Sequence, residues 1–225
     1  MARRVGRPQA GQEVLSRESI LEAALQLVDQ FGMEALTMRR LARELNVDPM
    51  AIYRHLPDKR TLLSGLVELV FSELQFPALS DGDWQDRVRR FALAYYALAR
   101  SHPNFVLYLV TDAEAAVEAV LAANEYLYAA IAASGLPIHM LAPAADLVID
   151  FLNGYALGLQ SGQLGQLGER AEFFDLLAEQ APGRYPVLQK VYAALTREDV
   201  LSNLEQGLTF VIAGIESIAQ KANSV

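Results

Sequence analysis

Apolar residues recur at helical spacing close to the start of the chain, and this pattern predicts amphipathic helices. The first run consists of Ile20, Ala23, Ala24, Leu27, Val28 and Phe31. Ser16 can cap this helix and Gly32 can end it. Thr37 can cap a second, short helix. Its inward positions are Leu41, Ala42 and Leu45, and Arg39, Arg40 and Arg43 are left for the outside.

The stretch DPMAIYRHLPDK, residues 48–59, predicts a third helix of about two turns. Asp48 can cap it, Pro49 suits its first position because that position needs no N–H, and Pro57 closes it. Asp58 can then cap a longer fourth helix. The apolar positions of that helix are Leu62, Leu63, Leu66, Val70 and Leu74.

The third helix has a distinct outward face. At about 100° per residue, Ile52 and Leu56 define its buried side, and Arg54 points directly away from them. Met50 also faces outward, Tyr53 and His55 lie on the two flanks, and Pro49 lies toward the buried side near the helix start. This arrangement suits a helix laid in the major groove of DNA. The alternative is a short surface helix whose flanking rings pack against neighbouring helices.

Helical patterns continue after the turn-rich junction ALSDGD, residues 78–83. The predicted segments are about 84–101, 104–111, 113–134, 140–164, 187–195 and 199–221. No window alternates as strands do, and the connections are short and carry Gly or Pro. The sequence therefore predicts an all-α fold with a domain boundary just beyond Pro77. The domains would be an N-terminal unit at 16–76 and a larger helical domain at 84–225.

The first unit has the organisation of a helix-turn-helix. Two short helices are joined by the three-residue turn NVD and braced by a longer first helix, so residues about 49–56 would be the recognition helix. Residues 1–63 hold ten of the 19 Lys and Arg residues but only eight of the 27 Asp and Glu residues, whereas the whole chain carries a net charge of −8. This asymmetry suggests a first unit that meets a polyanion. Ordinary scatter of surface charge is the alternative.

Residues 36–66, LTMRRLARELNVDPMAIYRHLPDKRTLLSGL, closely resemble the DNA-binding domain of the tetracycline-repressor-like (TetR) family of transcription regulators. The resemblance rests on Thr37 at the start of the second helix, on LARELNV at 41–47, on YRHL at 53–56 at the end of the third helix, and on Lys59. The resemblance implies that DNA phosphates are held by Thr37, Tyr53, His55 and Lys59. It implies that bases are met by Arg39, Pro49 and Met50, with Arg54 as a further candidate for bases or phosphate.

The N-terminal residues 1–15 carry three arginines, Arg3, Arg4 and Arg7, and no acid before Glu13. This composition predicts a disordered basic arm that DNA orders, with Arg4 or Arg7 on phosphates or in a minor groove. A tail that only aids solubility is the alternative.

Beyond residue 63, two rows of residues along the predicted helices indicate close helix packing. One in the last helix consists of Leu201, Leu204, Leu208, Val211, Ile215 and Ile218, and the other is formed by Gly154, Gly158 and Gly162 with Leu147 and Phe151. Either stripe could belong to the core of a single chain. The family resemblance instead implies a homodimer formed through the 140–164 and 199–221 helices, which would present two recognition helices to a palindromic operator.

The family resemblance also implies helices that enclose an effector pocket. The candidates to line it are polar residues within apolar helices, namely Tyr95, Asp146, Asp150 and Asn153. Two carboxylates in an apolar cavity would favour a cationic or hydrogen-bond-donating ligand. A solvated helix face is the alternative. The three histidines, His55, His102 and His139, give no pattern for a metal, so the sequence predicts no metal and no cofactor, and neither tetracycline nor magnesium is expected.

The absence of cysteine excludes a disulfide scaffold, a thiolate zinc site and a cysteine nucleophile. The sequence also lacks a nucleophile elbow, a P-loop, a dinucleotide-binding glycine motif and Glu-x-x-His pairs, so no enzyme is predicted. No secretory signal or membrane span is recognised, which favours the cytoplasm. The predicted function is a ligand-responsive DNA-binding regulator, favoured as a homodimeric repressor that a small-molecule effector releases from its operator. The alternative is a helical ligand-binding or scaffold protein with a degenerate helix-turn-helix that does not bind DNA.

Overall fold

The computed structural model describes residues 15–76, 78–111, 118–160, 176, 179, 183–194 and 200–224. These residues form ten α-helices and no strand, which confirms the predicted all-α fold. The helices are α1 (Arg17–Phe31), α2 (Met38–Glu44), α3 (Pro49–His55), α4 (Lys59–Phe71), α5 (Trp84–Ser101), α6 (Pro103–Thr111), α7 (Glu118–Ala132), α8 (Ile138–Gln160), α9 (Pro186–Ala194) and α10 (Val200–Ala222). A short 3-10 helix at Met33–Ala35 follows α1. The predicted basic arm at 1–15 and Gly162 lie outside the described residues, except for Leu15.

The chain divides into two compact units, Met1–Leu66 and Val67–Val225. The division lies inside α4, earlier in the chain than the turn-rich junction that was expected to separate the domains. Helix α4 therefore contributes residues to both units. It also ends at Phe71, so the predicted apolar position Leu74 lies beyond the helix.

Unit 1 is built on the buried face of α1. Ser16 caps this helix, since its side-chain oxygen accepts a hydrogen bond from the Ser19 N–H at 3.1 Å. The fully or almost fully buried residues of the unit are Ile20, Leu21, Ala24, Leu27, Val28, Leu36, Leu41, Ala42, Ile52, Leu56, Leu62 and Leu66. Phe31 was expected on this inward face, but it is 55% exposed. The guanidinium of Arg40 lies 4.1 Å from the centre of its ring, and this contact covers the ring from outside the core.

Unit 2 is centred on α5 and α8. Helix α8 packs against α5, α6, α7 and α10, and α5 packs against α6, α7 and α10. The large core cluster includes Phe91, Leu127, Val148, Leu152 and Leu208. Trp84, at the start of α5, is the single tryptophan of the chain and belongs to the same cluster.

The stripe predicted in the last helix lies mostly inside the chain. Leu204, Leu208 and Ile215 are buried in the core of unit 2, whereas Ile218 is exposed at its edge. The close helix approach occurs on α10, where a Cβ added to Gly207 would lie 2.4 Å from Cζ of Phe151. Among the described residues, nothing lies within 4 Å of a Cβ added to Gly154 on α8, so contacts within this part of the chain do not explain the glycine.

Residues Ile138–Gly158 of α8 are long and apolar enough to cross a membrane, by length and composition alone. The sequence was expected to contain no such stretch. The stretch contains Asp146 and Asp150, and 28% of an 18-residue window within it is buried inside the chain. A core helix of a globular protein meets the same length and composition test, so the stretch is weak evidence for a membrane span.

Candidate nucleic-acid interface and ligand-binding region

Local hydrogen bonds fix the two helices of the helix-turn-helix. Thr37 caps α2, because its Oγ1 accepts a hydrogen bond from the Arg40 N–H at 3.2 Å. The turn that follows places Asn46 at φ 52°, a left-handed conformation that asparagine tolerates better than most residues. The Val47 N–H donates to the Ala42 carbonyl at 2.9 Å and closes the turn.

Helix α3 begins and ends as the sequence predicts. Asp48 caps it, since its Oδ1 accepts from the Met50 N–H at 2.8 Å, and Pro49 occupies the first turn. The Leu56 N–H donates to the Ile52 carbonyl at 2.9 Å and ends the helix. Ile52 and Leu56 are fully buried, so this side anchors α3 to unit 1 and leaves the opposite side free for another molecule.

The outer face of α3 presents the predicted side chains. Met50 is 64% exposed, and Tyr53, Arg54 and His55 are exposed as well, whereas Pro49 is half-buried. This pattern agrees with the rotation derived from the sequence. Met50 offers an apolar contact, Tyr53 a hydroxyl group and Arg54 a positive charge. Groups of these kinds contact base edges and phosphates in protein–DNA complexes.

Three other candidate DNA contacts lie at helix starts or on outer faces of unit 1. Thr37 and Arg39 are exposed at the beginning of α2, and Lys59 is the exposed first residue of α4. Asp58 precedes Lys59 and caps α4 by accepting hydrogen bonds from the N–H and the hydroxyl of Thr61 at 2.7 and 2.8 Å. These two bonds hold the pKa of the Asp58 carboxyl below its usual value. The DNA-contact roles of all eight residues stay predictions.

One electrostatic neighbour of α3 could not be found from sequence spacing. The pKa of Glu18, in the first turn of α1, is lowered by a backbone hydrogen bond, by the Ser16 hydroxyl, and by the charges of Arg17 and His55. Glu18 and His55 are distant in sequence, so only the packing of α1 against the helix-turn-helix shows that they influence each other.

We expect Lys59→Ala to weaken DNA binding to every duplex sequence by a similar factor. An ammonium at a helix start opposes the helix dipole, at a cost of about a few tenths of a kcal/mol, and a DNA phosphate would offset that cost. The slope of log affinity against log salt should become shallower by about 0.9 for each phosphate that the variant no longer neutralises. Fluorescence anisotropy over a salt series measures this slope. Lys190→Ala, at an exposed lysine of α9, is the matched control. An unchanged slope for Lys59→Ala would remove this residue from the interface.

The four candidate ligand-binding residues separate into two groups. The Tyr95 hydroxyl donates a hydrogen bond of 2.6 Å to Oδ1 of Asn153, which joins α5 to α8 within unit 2. Burial raises the pKa of Tyr95 to about 12. Asp146 and Asp150 are exposed in the single chain and do not share this setting. The ligand-binding roles of the four residues stay predictions.

The structure also reveals an aromatic column that the sequence did not suggest, formed by Tyr126, Phe76, Phe91 and Tyr95. The ring of Phe76 stacks on Tyr126 at a centroid distance of 4.5 Å and on Phe91 at 5.4 Å. Phe91 in turn lies 6.5 Å from Tyr95, with the ring planes 14° apart. These residues come from the segment after α4, from α5 and from α7, so no spacing rule along the chain could group them.

His102 ends α5 and is not part of a metal cluster. Its backbone N–H donates to the Leu98 carbonyl at 2.9 Å, and its ring Nε2 lies 3.2 Å from Oε1 of Glu73. Among the described residues, no group of three or more His, Asp or Glu side chains could hold a metal ion.

The short helix pair, the capped recognition helix and its exposed face define a helix-turn-helix DNA-binding protein. Residues 20–66 match the family described as bacterial regulatory proteins, tetR family. Residues 76–219 match the family described as tetracyclin repressor-like, C-terminal domain. The chain therefore belongs to the TetR family and is a ligand-responsive DNA-binding transcription regulator. A DNA-inactive protein with a degenerate helix-turn-helix is not favoured.

Similar proteins come from several bacteria. The transcriptional repressor DrrR1 of Streptomyces coeruleorubidus is 31% identical over 202 residues, which cover 89% of this chain and 73% of that protein. The class C tetracycline repressor protein of Escherichia coli is 29% identical over 220 residues, covering 94% and 95% of the two chains. The crystal structure of apo ActR from Streptomyces coelicolor has a TM-score of 0.78 at 24% identity, covering 92% of this chain and 98% of that one, and it shows the shared fold.

Proposed function

We propose that this protein is a cytoplasmic repressor that binds a palindromic operator as a homodimer and is released by a small-molecule effector. The single observation that carries the DNA-binding part is the division of α3 into a fully buried side and an exposed side. Ile52 and Leu56 fix the helix to unit 1, while Met50, Tyr53 and Arg54 face solvent. A helix held in this way can enter a major groove without disturbing its own core.

Exposed apolar residues on α8 and α10 support the homodimer. Phe210 is 79% exposed, and Leu147, Leu157 and Ile218 are also exposed. In the described part of the chain, Gly154 on α8 and Gly214 on α10 have open space where a Cβ would be. Large apolar side chains beside bare glycines are typical of a surface that another helix approaches closely. We define these six residues as the α8–α10 face, and we propose that a second copy of the chain covers it.

The same face accounts for the apolar stretch in α8. Only 28% of an 18-residue window within Ile138–Gly158 is buried inside the chain, which is a low share for a core helix. A helix that packs on its own core on one side and on a partner subunit on the other needs apolar residues all round. The proposed dimer therefore explains the composition of α8 without a membrane.

The effector part of the proposal is supported by relatives and by unit 2. ActR has been crystallised in complex with actinorhodin and with (S)-DNPA, and other relatives are named as tetracycline repressors. In this chain, the partly buried Tyr95–Asn153 hydrogen bond and the aromatic column give unit 2 a mixture of apolar and polar groups that suits an organic ligand. Helix α4 belongs partly to each unit, so a change in its position would shift the population of DNA-binding conformations.

A binding-site selection tests the proposed function. Wild-type protein is incubated with a duplex library that contains random sequences and the region upstream of its own gene, and the enriched duplexes are measured by gel shift. We expect a palindrome whose half-sites are about one helical turn apart, bound by two protomers. A protein that enriches no sequence and shifts no duplex at low salt would contradict the proposal.

A further inference from the structure

The segment between α4 and α5 places an aromatic ring in the core of unit 2. Phe76 lies outside any helix or turn, is half-buried, and stacks on Phe91 and Tyr126 with ring planes within 18° of parallel. Leu74, in the same stretch, also packs against the core cluster. The segment that continues α4 is therefore held to the helical body through side chains, not by regular backbone pairing.

The Tyr126 hydroxyl has no hydrogen-bond partner in the described part of the chain, although it is buried. The whole residue is 9% exposed. Burial raises the pKa of this phenol, while the charges of Arg90 and Arg87 lower it and that of Asp81 raises it. A buried hydroxyl without a partner costs free energy, and a hydrogen-bond acceptor that enters the site removes that cost.

We propose that the effector is a planar aromatic molecule with a hydrogen-bond acceptor, and that its ring replaces the Phe76 ring against Phe91 and Tyr126. This inference rests on the proposed function, because it assigns the chemistry of the effector that the regulator senses. Phe76 is then an internal substitute for the effector. The Tyr126 hydroxyl donates to a carbonyl or phenolate oxygen of the bound molecule.

The charges near Tyr126 favour a ligand that carries a hydrogen-bond acceptor over a ligand that carries a positive charge. Arg87 and Arg90 are the cations that act on Tyr126, and Asp81 is the carboxylate that acts on it. Asp146 and Asp150, which the sequence offered as anchors for a cationic ligand, are exposed on α8. An aliphatic ligand could fill the place of Phe76, but it would not stack on the two rings, and a ligand without an acceptor would leave the Tyr126 hydroxyl unsatisfied.

Displacement of Phe76 links effector binding to DNA binding. Phe76 follows α4, which ends at Phe71, and the intervening turn carries Glu73, which pairs with His102. When the ring leaves the core, the C-terminal end of α4 is held to the body by one attachment fewer. The conformation that the free protein favours is thereby weakened, and the population of conformations that bind the operator falls.

The probe for this inference is 1,4-dihydroxyanthraquinone, a planar molecule with carbonyl acceptors. Its binding to the full chain is read from quenching of Trp84, the single tryptophan, which lies in the same core cluster. Phe76→Ala should bind the probe about tenfold more tightly than wild type, because no ring has to be displaced. Tyr126→Phe should bind it about three- to tenfold more weakly, because only the hydrogen bond is removed.

Leu79→Ala is the matched control, since Leu79 is exposed on the same connecting segment. It should bind the probe as wild type does. Phe76→Leu keeps apolar bulk without a ring, so it should fold stably and bind the probe with intermediate affinity even if Phe76→Ala is damaged. Weaker or unchanged probe binding by both Phe76 variants would overturn the inference, because the ring would then be a wall of the site or have no part in it.

The operator is then added in a separate gel-shift titration. We expect the probe to release wild-type protein from its selected duplex, and Phe76→Ala to bind that duplex more weakly than Leu79→Ala without any probe. A wild-type protein that binds its operator but does not bind the probe would overturn the effector class. A protein that binds the probe but no duplex would instead refute the proposed function, so the two failures are distinguishable.

Discussion

Gly154→Leu should convert the proposed dimer into a monomer and lower operator affinity by about 10²- to 10⁴-fold. The new side chain has room beside the residues that the structure describes, since a Cβ at this position meets none of their atoms within 4 Å. Helix stability should rise because leucine favours a helix more than glycine does, by about 0.7–1 kcal/mol. The added bulk would, however, hold the partner subunit away from α8, and each half-site would then be bound without the help of the other.

Light scattering after size-exclusion chromatography measures this effect directly. Wild type should have about twice the chain mass of 24.7 kDa, and Gly154→Leu should have the mass of one chain. Ala97→Leu adds comparable bulk at an exposed position of α5 and should stay dimeric. If Gly154→Leu remained a dimer with wild-type operator affinity, the α8–α10 face would not be the subunit interface.

Gly207→Ala should destabilise the chain by up to about 2 kcal/mol, because overpacking a core costs about 1–3 kcal/mol and alanine regains about 1 kcal/mol over glycine in a helix. A Cβ at this position would lie 2.4 Å from Cζ and 2.7 Å from Cε2 of Phe151. These are atoms of a rigid ring that also contacts Tyr155, with the centroids 5.1 Å apart. The clash can be relieved only if α8 and α10 separate or the ring leaves its position.

Urea unfolding followed by circular dichroism measures the destabilisation, and a second substitution tests its cause. Phe151→Leu shortens the side chain that the new methyl group would meet, so Gly207→Ala should cost less in that background than in wild type. Equal destabilisation in both backgrounds would show that the effect of Gly207→Ala does not arise from the Phe151 contact.

The helix-turn-helix could be predicted from sequence because its signals are local. The caps at Ser16, Thr37 and Asp48 act over three residues or fewer, and Pro49 fixes a backbone angle by itself. The buried side of α3 follows from helical geometry alone. The structure therefore places the boundaries of α1 to α3, and the outward position of Arg54, where the sequence puts them.

Features that depend on contacts between distant elements could not be predicted in the same way. The leucine spacing in α10 fits a seam with any neighbouring helix, and the structure shows that Leu204 and Leu208 face the core of their own chain. Asp146 and Asn153 share one helix face, yet only Asn153 meets Tyr95, because the position of α5 decides which part of that face is covered.

The aromatic column illustrates the same limit for the effector site. Phe76 and Tyr126 lie on elements far apart in the chain, and neither has a spacing that marks it as a binding residue. A buried tyrosine hydroxyl without a partner is recognised only when all of its neighbours are known. The family resemblance therefore implied a ligand in the C-terminal domain, whereas the chemistry proposed for that ligand required the structure.

The outer face of α3 is tested most directly by a triple variant, Met50→Ala with Tyr53→Ala and Arg54→Ala. All three side chains are exposed, so the free energy of unfolding should stay within about 0.5 kcal/mol per substitution. Anisotropy titration on the selected duplex should show an affinity at least about 10²-fold lower than that of wild type, because base contacts contribute about 1–3 kcal/mol each. A folded triple variant that binds this duplex with wild-type affinity would contradict the assignment of α3 as the DNA-reading helix.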